Sequence, residues 1–503
     1  MELNSVVKSL ENQCILVTGA TGFLAKLFVE KLLRIQPNVK QLFLLVRAPN
    51  SASAAQRINN EVSGEVFRVL REREGVRYAT FISEKVTPVA GDISLENLGI
   101  DDSNLINKIR KEIDVVASFA ATTKFDERYD DAIRPNTMGA KHVAEFSKKC
   151  EKLKLLVHPS TAYVWGERSG LILENPLRMG ETLNGIKSPE LDIKVEMELV
   201  SEKLNELRAN QVSQKEEMIA MKEFGLERER LFGWPNTYVF TKAMGEMIIG
   251  EAKGYDHKVV ILRHTIVTST LKEPFPGWIE GVRTIDSVIL ACGKGNVRCF
   301  PVNPQTVADV IPGDMVVNAA IVAMVGHANQ PSSGDDTSIY HVGSFAKAPL
   351  HGTKLFDYVY NYFYKNPMIS PPLKKQSFGK PINIAYPLIF STMTSFLFFF
   401  NVICVFPMKV FLLLNTLVFF DYLHDICSTA ERKIKFIQRM VELFKPYSLF
   451  KGIFDDSNTE KLRTEVRMTE AEANIFYFDP KCINWDDYFM NVHIPGLVKY
   501  VFR

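Results

Sequence analysis

The sequence predicts an α/β fold, a doubly wound parallel sheet followed by a mostly helical C-terminal domain. Three observations carry this. Short, continuously apolar runs alternate with amphipathic stretches through most of the chain. A glycine-rich turn joins the first run to the first amphipathic stretch. A Pro-, Ser- and Lys-rich stretch at 367–381 then closes the alternating part. Strands covered by helices on both faces need apolar side chains on both, which is why they read as unbroken runs.

The elements follow in order. Residues 14–18 (CILVT) are the first strand, and 24–34 carry Leu24, Phe28 and Leu32 at helical spacing. Further strands are expected at 41–47, 85–90, 114–120, 153–158, 258–264 and 338–342. Helices are expected at 54–71, 136–150, 236–250 and about 307–326. The charged stretch 190–231 interrupts the pattern and reads as a solvated helical insertion. With 503 residues, two domains are expected, 1–375 and 376–503.

Composition narrows the class. Sixty basic and 58 acidic residues leave a net charge of +2, so no nucleic-acid or other polyanion binding by the protein as a whole is expected. Seven scattered cysteines form no C-x-x-C pair, which argues against a disulfide framework or a metal site. The opening MELNSVVKSLENQ has neither a secretory nor an Arg-rich transit pattern, so a reducing, cytosol-facing location is expected, neither secreted nor plastid.

The first strand runs into Thr18-Gly19-Ala20-Thr21-Gly22-Phe23-Leu24-Ala25. This G-x-x-G-x-x-A spacing suits a dinucleotide. Gly19 permits the tight turn, Gly22 lets backbone N–H groups near a pyrophosphate at the helix start, and Ala25 keeps helix and sheet close. The cofactor contacts expected here are Gly19, Thr21, Gly22, Phe23 and Leu24. The second strand ends Leu45-Val46-Arg47, with no acid to bind a ribose 2′-hydroxyl. A guanidinium there suits a 2′-phosphate, so NADPH is the expected cofactor. Asp92, after Gly91, is placed to touch the adenine, although a turn aspartate has the same pattern.

Residues 238–242 read Tyr-Val-Phe-Thr-Lys. Positions i and i+4 share a helix face, so Lys242 sits beside Tyr238. An ammonium favours the phenolate and lowers a tyrosine's pKa from ~10. Ser160 and Thr161 follow the strand 153–158, where ligands bind in open parallel sheets. His158 reads as a packed strand residue.

Together the glycine turn, Arg47, the S-T-A-Y-V-x-G stretch from Ser160 to Gly166 and Tyr238-x-x-x-Lys242 resemble the extended short-chain dehydrogenases/reductases. Further blocks, from Ala120 to Tyr129, Gly233 to Tyr238, Glu273 to Gly281, Gly452 to Asp456 and Trp485 to Gly496, resemble the alcohol-forming fatty acyl-CoA reductases of the plant type. The resemblance runs from residue 10 onward and is loose only over 381–425. It implies a Rossmann-type sheet and NADPH-dependent reduction of a long-chain fatty acyl-CoA to a primary alcohol through an aldehyde. It implies Tyr238 as proton donor, Lys242 as its tuner and ribose ligand, and Thr161 as the hydroxyl gripping the carbonyl. Asn136 matches the asparagine that supports the lysine. His264 and Pro159 depart from the pattern, where the family has a proline and an aliphatic residue. Without the resemblance, a steroid or sugar-nucleotide dehydrogenase and a non-catalytic dinucleotide-binding partner stay open.

Residues 381–408 carry no charge, and Lys409 is the one charge within 381–420. Nine phenylalanines lie there: Phe390, Phe396, Phe398, Phe399, Phe400, Phe406, Phe411, Phe419 and Phe420. About 20 apolar residues suffice to span a bilayer. Pro387, Asn401 and Pro407 favour an interfacial or re-entrant anchor at the endoplasmic reticulum surface, with a span or an acyl-binding wall as alternatives.

Overall fold

The computed structural model describes residues 5–183, 190–251, 256–328, 337–370, 379–418, 424–466 and 468–502. Seven strands form one parallel sheet: β1 (Cys14–Thr18), β2 (Gln41–Val46), β3 (Val86–Ala90), β4 (Val115–Ser118), β5 (Leu155–Thr161), β7 (Lys258–His264) and β11 (Thr337–Val342). Their order across the sheet is β11-β7-β5-β4-β1-β2-β3. The order reverses between β1 and β4, which leaves a crevice beyond their C-terminal ends. Every residue of β1, β4 and β5 is buried, as the unbroken apolar runs require.

Three short parallel pairs supplement the sheet. They are β8 (Ile266–Thr268) with β10 (Val310–Pro312), β9 (Cys299–Pro301) with β12 (Leu388–Phe390), and β6 (Gly170–Ile172) with β13 (Gly452–Phe454). The last two tie late segments of the chain to earlier ones. Tyr488 adds a third tie, its hydroxyl donating to Thr268 Oγ1 at 2.8 Å.

Several expected elements differ. The helix expected at 54–71 breaks into Ser51–Val62 and Arg68–Glu74, because Ser63-Gly64 ends the first. The segment expected to start a helix near 307 instead forms β10, and the helix begins at Gly313. The helix 136–150 is entered through a π-helical turn, Arg134–Met138, and its regular part is Gly139–Ser147. The insertion is two helices, Ile193–Ala209 and Gln214–Phe232. It is less solvated than its charge suggests, since Val200, Leu204, Leu207 and Met221 are buried. The Tyr129 hydroxyl also donates to Glu196 at 2.8 Å.

The Pro-, Ser- and Lys-rich boundary falls largely on 371–378, outside the described residues, as do Phe419 and Phe420. Met393–Leu413 is one helix long and apolar enough to cross a membrane. It is attached along one side: Phe396 and Phe400 are buried and stack at 5.4 Å. Phe398 and Phe406 are 73% and 66% exposed.

Candidate active site

The crevice between β1 and β4 opens into a cavity of about 940 Å³ lined by Gly19, Thr21, Gly22, Arg47, Asp92 and Arg57, among others. Gly19 has φ +66, and a Cβ there would lie 2.6 Å from Ala120 Cα. The turn therefore needs glycine for both its conformation and its closeness to the chain after β4. Gly22 precedes the helix Phe23–Ile35, whose first N–H groups have no partner within the helix. This cradle fits the diphosphate of a dinucleotide. Phe23 contributes only backbone, because its ring is buried and stacks on Trp278 at 5.0 Å. Leu24 lines the neighbouring pocket instead.

Arg47 is exposed at the mouth of this cavity, and Arg57 is beside it, Nη1 donating to the Arg47 carbonyl at 2.8 Å. Arg57 was not foreseen. It lies within an unremarkable helix, and only the fold of Ser51–Val62 over β2 and β3 brings it back to Arg47. Asp92 caps its own turn by accepting from Ser94 N at 2.9 Å, yet still lines the cavity.

A second pocket of about 350 Å³ contains Thr161, Tyr238, His264, Phe125, Tyr163 and Tyr447 in its wall. Thr161 ends β5 and pairs in register with His264 at the end of β7, so both reach the same pocket. Ser160, one residue earlier, is buried and is absent from this wall. Tyr238 stands on the helix Thr237–Glu251, stacked on Phe125 at 6.0 Å. Asn236 caps that helix, its Oδ1 accepting from Val239 N at 3.0 Å. His264 is held neutral, its pKa pushed down to about 4 mainly by burial.

Lys242 is buried on the same helix. Its Nζ donates to the Pro159 carbonyl at 2.8 Å and lies 3.2 Å from His158 Nε2. Burial lowers its pKa to about 8, opposed by Glu246. The expected lowering of the Tyr238 pKa is not found: burial pushes the phenol up, with Glu246 adding to the rise. Glu246 is itself bound to Arg263 at 2.7 Å. Nor does Asn136 bond to the lysine. Its Nδ2 donates to Thr122 O at 3.1 Å and Thr241 Oγ1 at 3.0 Å, and its Oδ1 accepts from Thr122 N at 3.0 Å. Asn136 thus pins the chain after β4 to the Tyr238 helix.

Behind this pocket lies a small apolar chamber of about 70 Å³. The two share Tyr163, Ile266, Thr284, Phe444 and Tyr447. The chamber's far wall includes Phe300 of β9 and Phe356, with ring centroids 5.7 Å apart. Tyr447 and Phe444 come from the helix His424–Ser448, remote in sequence, and sequence reasoning had no signal for them.

A seven-stranded parallel sheet with a glycine cradle at its switch point defines a dinucleotide-binding protein of the Rossmann type. Family models agree: a dinucleotide-binding one described as "Male sterility protein" matches residues 17–320, and a second of the same description matches 409–503. The chain belongs to this male sterility protein family. It is 50% identical over 501 residues to the "Alcohol-forming fatty acyl-CoA reductase" of Simmondsia chinensis, covering 99% of each chain. It is 48% identical to "Fatty acyl-CoA reductase 1" of Arabidopsis thaliana, covering 100% of each. Among solved structures, the terminal R domain from the myxalamid PKS-NRPS pathway superposes with a TM-score of 0.59 at 16% identity, covering 97% of this chain and 91% of that one.

Proposed function

We propose that this protein reduces a long-chain fatty acyl-CoA to the primary alcohol and free CoA, using NADPH. The observation that carries this is the joining of a Tyr238/Thr161 pocket to an apolar chamber, in a chain half identical to an alcohol-forming fatty acyl-CoA reductase over its whole length. NADPH over NADH is supported by Arg47 and Arg57 at the cavity mouth, with no acid at the end of β2.

When bound, the dinucleotide supplies hydride. Gly19, Thr21, Gly22 and the start of the helix Phe23–Ile35 would hold its diphosphate, and Asp92 would face the adenosine. Lys242 would donate to the nicotinamide ribose. Thr161 and Tyr238 would grip the thioester oxygen, stabilising its charge in a pocket walled by aromatic rings. Collapse of the resulting hemithioacetal expels the CoA thiol and leaves an aldehyde. Tyr238 would then give its proton to the alkoxide as the aldehyde is reduced. The chamber, at about 70 Å³, would take only a few methylenes of the acyl chain, each contributing about 0.8 kcal/mol on burial.

The apolar helix supports a membrane-surface location. With Phe396 and Phe400 fixed to the protein body, one side of Met393–Leu413 is not free to meet lipid, as a span would require. Phe398, Ile403 and Phe406 are left exposed to enter a leaflet of the endoplasmic reticulum from the cytosolic side.

Stoichiometry tests the reaction. Purified protein given a long-chain acyl-CoA is expected to consume two NADPH per CoA released. Aldehyde accumulating at one NADPH per CoA refutes the alcohol-forming reading.

A further inference from the structure

The chemistry above leaves His158 without a task. It is buried on β5, yet its Nε2 lies 3.2 Å from Lys242 Nζ. An ammonium has no acceptor, so Nε2 accepts and the ring's proton resides on Nδ1. Burial, with the lysine's charge second, pushes the imidazole pKa well below its usual value and keeps the ring neutral. Nδ1 is buried with no hydrogen-bond partner among the described residues. An apolar side chain would fill this strand position without that cost. The ring therefore serves the lysine rather than the packing.

One carboxylate acts on Lys242 electrostatically. Glu246 lies one turn further along the same helix face, where i,i+4 pairs meet. The ionisable groups facing the cluster are Tyr238 and Glu246 on the helix itself, Arg263 on β7, committed to Glu246, and His264 at the end of β7.

We propose that His158 is a positioning residue for Lys242. Its Nε2 and the Pro159 carbonyl together hold the ammonium at the β5 side of the site, one turn from Tyr238 and away from Glu246. This assigns the lysine's support to β5 instead of Asn136, whose amide is engaged elsewhere. The proposal rests on the reductase reading for its kinetic consequence, but not for its structural one.

Two measurements test it. In the cofactor-free protein, histidine ¹⁵N spectra are expected to show His158 as the Nδ1–H tautomer from pH 5.5 to 8.5, a preference lost in Lys242→Met. In turnover, His158→Gln keeps an acceptor near the Nε2 position, whereas the shorter His158→Asn does not reach. The Asn variant is expected to lose on the order of tenfold in kcat, the scale of one hydrogen bond to a charged group. Losing an acceptor disfavours the ammonium, so its alkaline limb moves to lower pH, and the Gln variant restores both. A His158 tautomer indifferent to Lys242, or Asn and Gln variants equally impaired with an unmoved limb, overturns the proposal. A wild-type chain that fails to reduce any acyl-CoA removes the reductase reading alone, and the tautomer measurement still decides the positioning role.

Discussion

The amide of Asn236 donates to the hydroxyl of Tyr447 across 3.0 Å. Asn236 caps the Tyr238 helix, and Tyr447 lies 211 positions later, so the C-terminal segment is bonded to the start of that helix. Tyr447 also packs edge-on against Tyr163 at 4.8 Å, at the neck between pocket and chamber. Tyr447→Ala is expected to raise KM for a long-chain acyl-CoA about tenfold or more, the scale of a buried aromatic contact. Steady-state kinetics with NADPH saturating check this, and NADPH affinity should be unchanged.

Tyr238→Phe removes the proposed proton donor and little volume. A loss of roughly 10²–10⁴-fold in kcat is expected, with NADPH binding retained in a fluorescence titration. Turnover near the wild-type rate would take Tyr238 out of its role.

Arg47 and Arg57 lie together on the cavity that would hold the proposed NADPH, and the proposal gives them its 2′-phosphate. Replacing either by Ala is expected to weaken NADPH binding roughly 10- to 100-fold and leave NADH binding nearly unchanged. Equal losses for both nucleotides would assign the arginines to the fold.

Gly19→Ala puts a Cβ 2.6 Å from Ala120 Cα at φ +66. The left-handed conformation alone costs about 1–2 kcal/mol, and the clash adds to it. A lower thermal midpoint and loss of NADPH binding are expected.

Glu229 is buried and accepts from Thr237 Oγ1 at 2.9 Å, and burial raises its pKa from 4.5 to about 7. Below pH 4.5 the carboxyl is neutral in both folded and unfolded chains. As pH rises, the unfolded chain ionises first, so this contribution to stability falls away between pH 4.5 and about 7. Glu229→Gln is therefore expected to stabilise the protein at pH 8, by at most about 3 kcal/mol, and to change little at pH 4.5. Thermal melts at the two pH values check this.

Much of the sheet was legible because each strand is a local apolar run, and the glycine turn and the shared helix of Tyr238 and Lys242 were legible because their spacing lies within one turn or one helix. What was missed arrives through tertiary contact. Arg57 returns to Arg47 over a helix, His158 meets Lys242 across the β5–helix interface, and Tyr447 comes from another part of the chain. The strand Val310–Pro312 was hidden because three residues next to a long apolar helix read as its first turn. Asn136 was singled out as a support for Lys242, but it bonds Thr122 and Thr241 instead, because its partners depend on how the chain after β4 folds back.

The strand β9 has two neighbours that matter. Phe300 of β9 is part of the wall of the apolar chamber, and the same strand is hydrogen-bonded to β12, which leads directly into the helix Met393–Leu413. The exposed apolar helix and the chamber are thus mounted on one beam. If the exposed helix meets lipid as proposed, a force on it has a hydrogen-bonded route through β12 and β9 to the chamber wall.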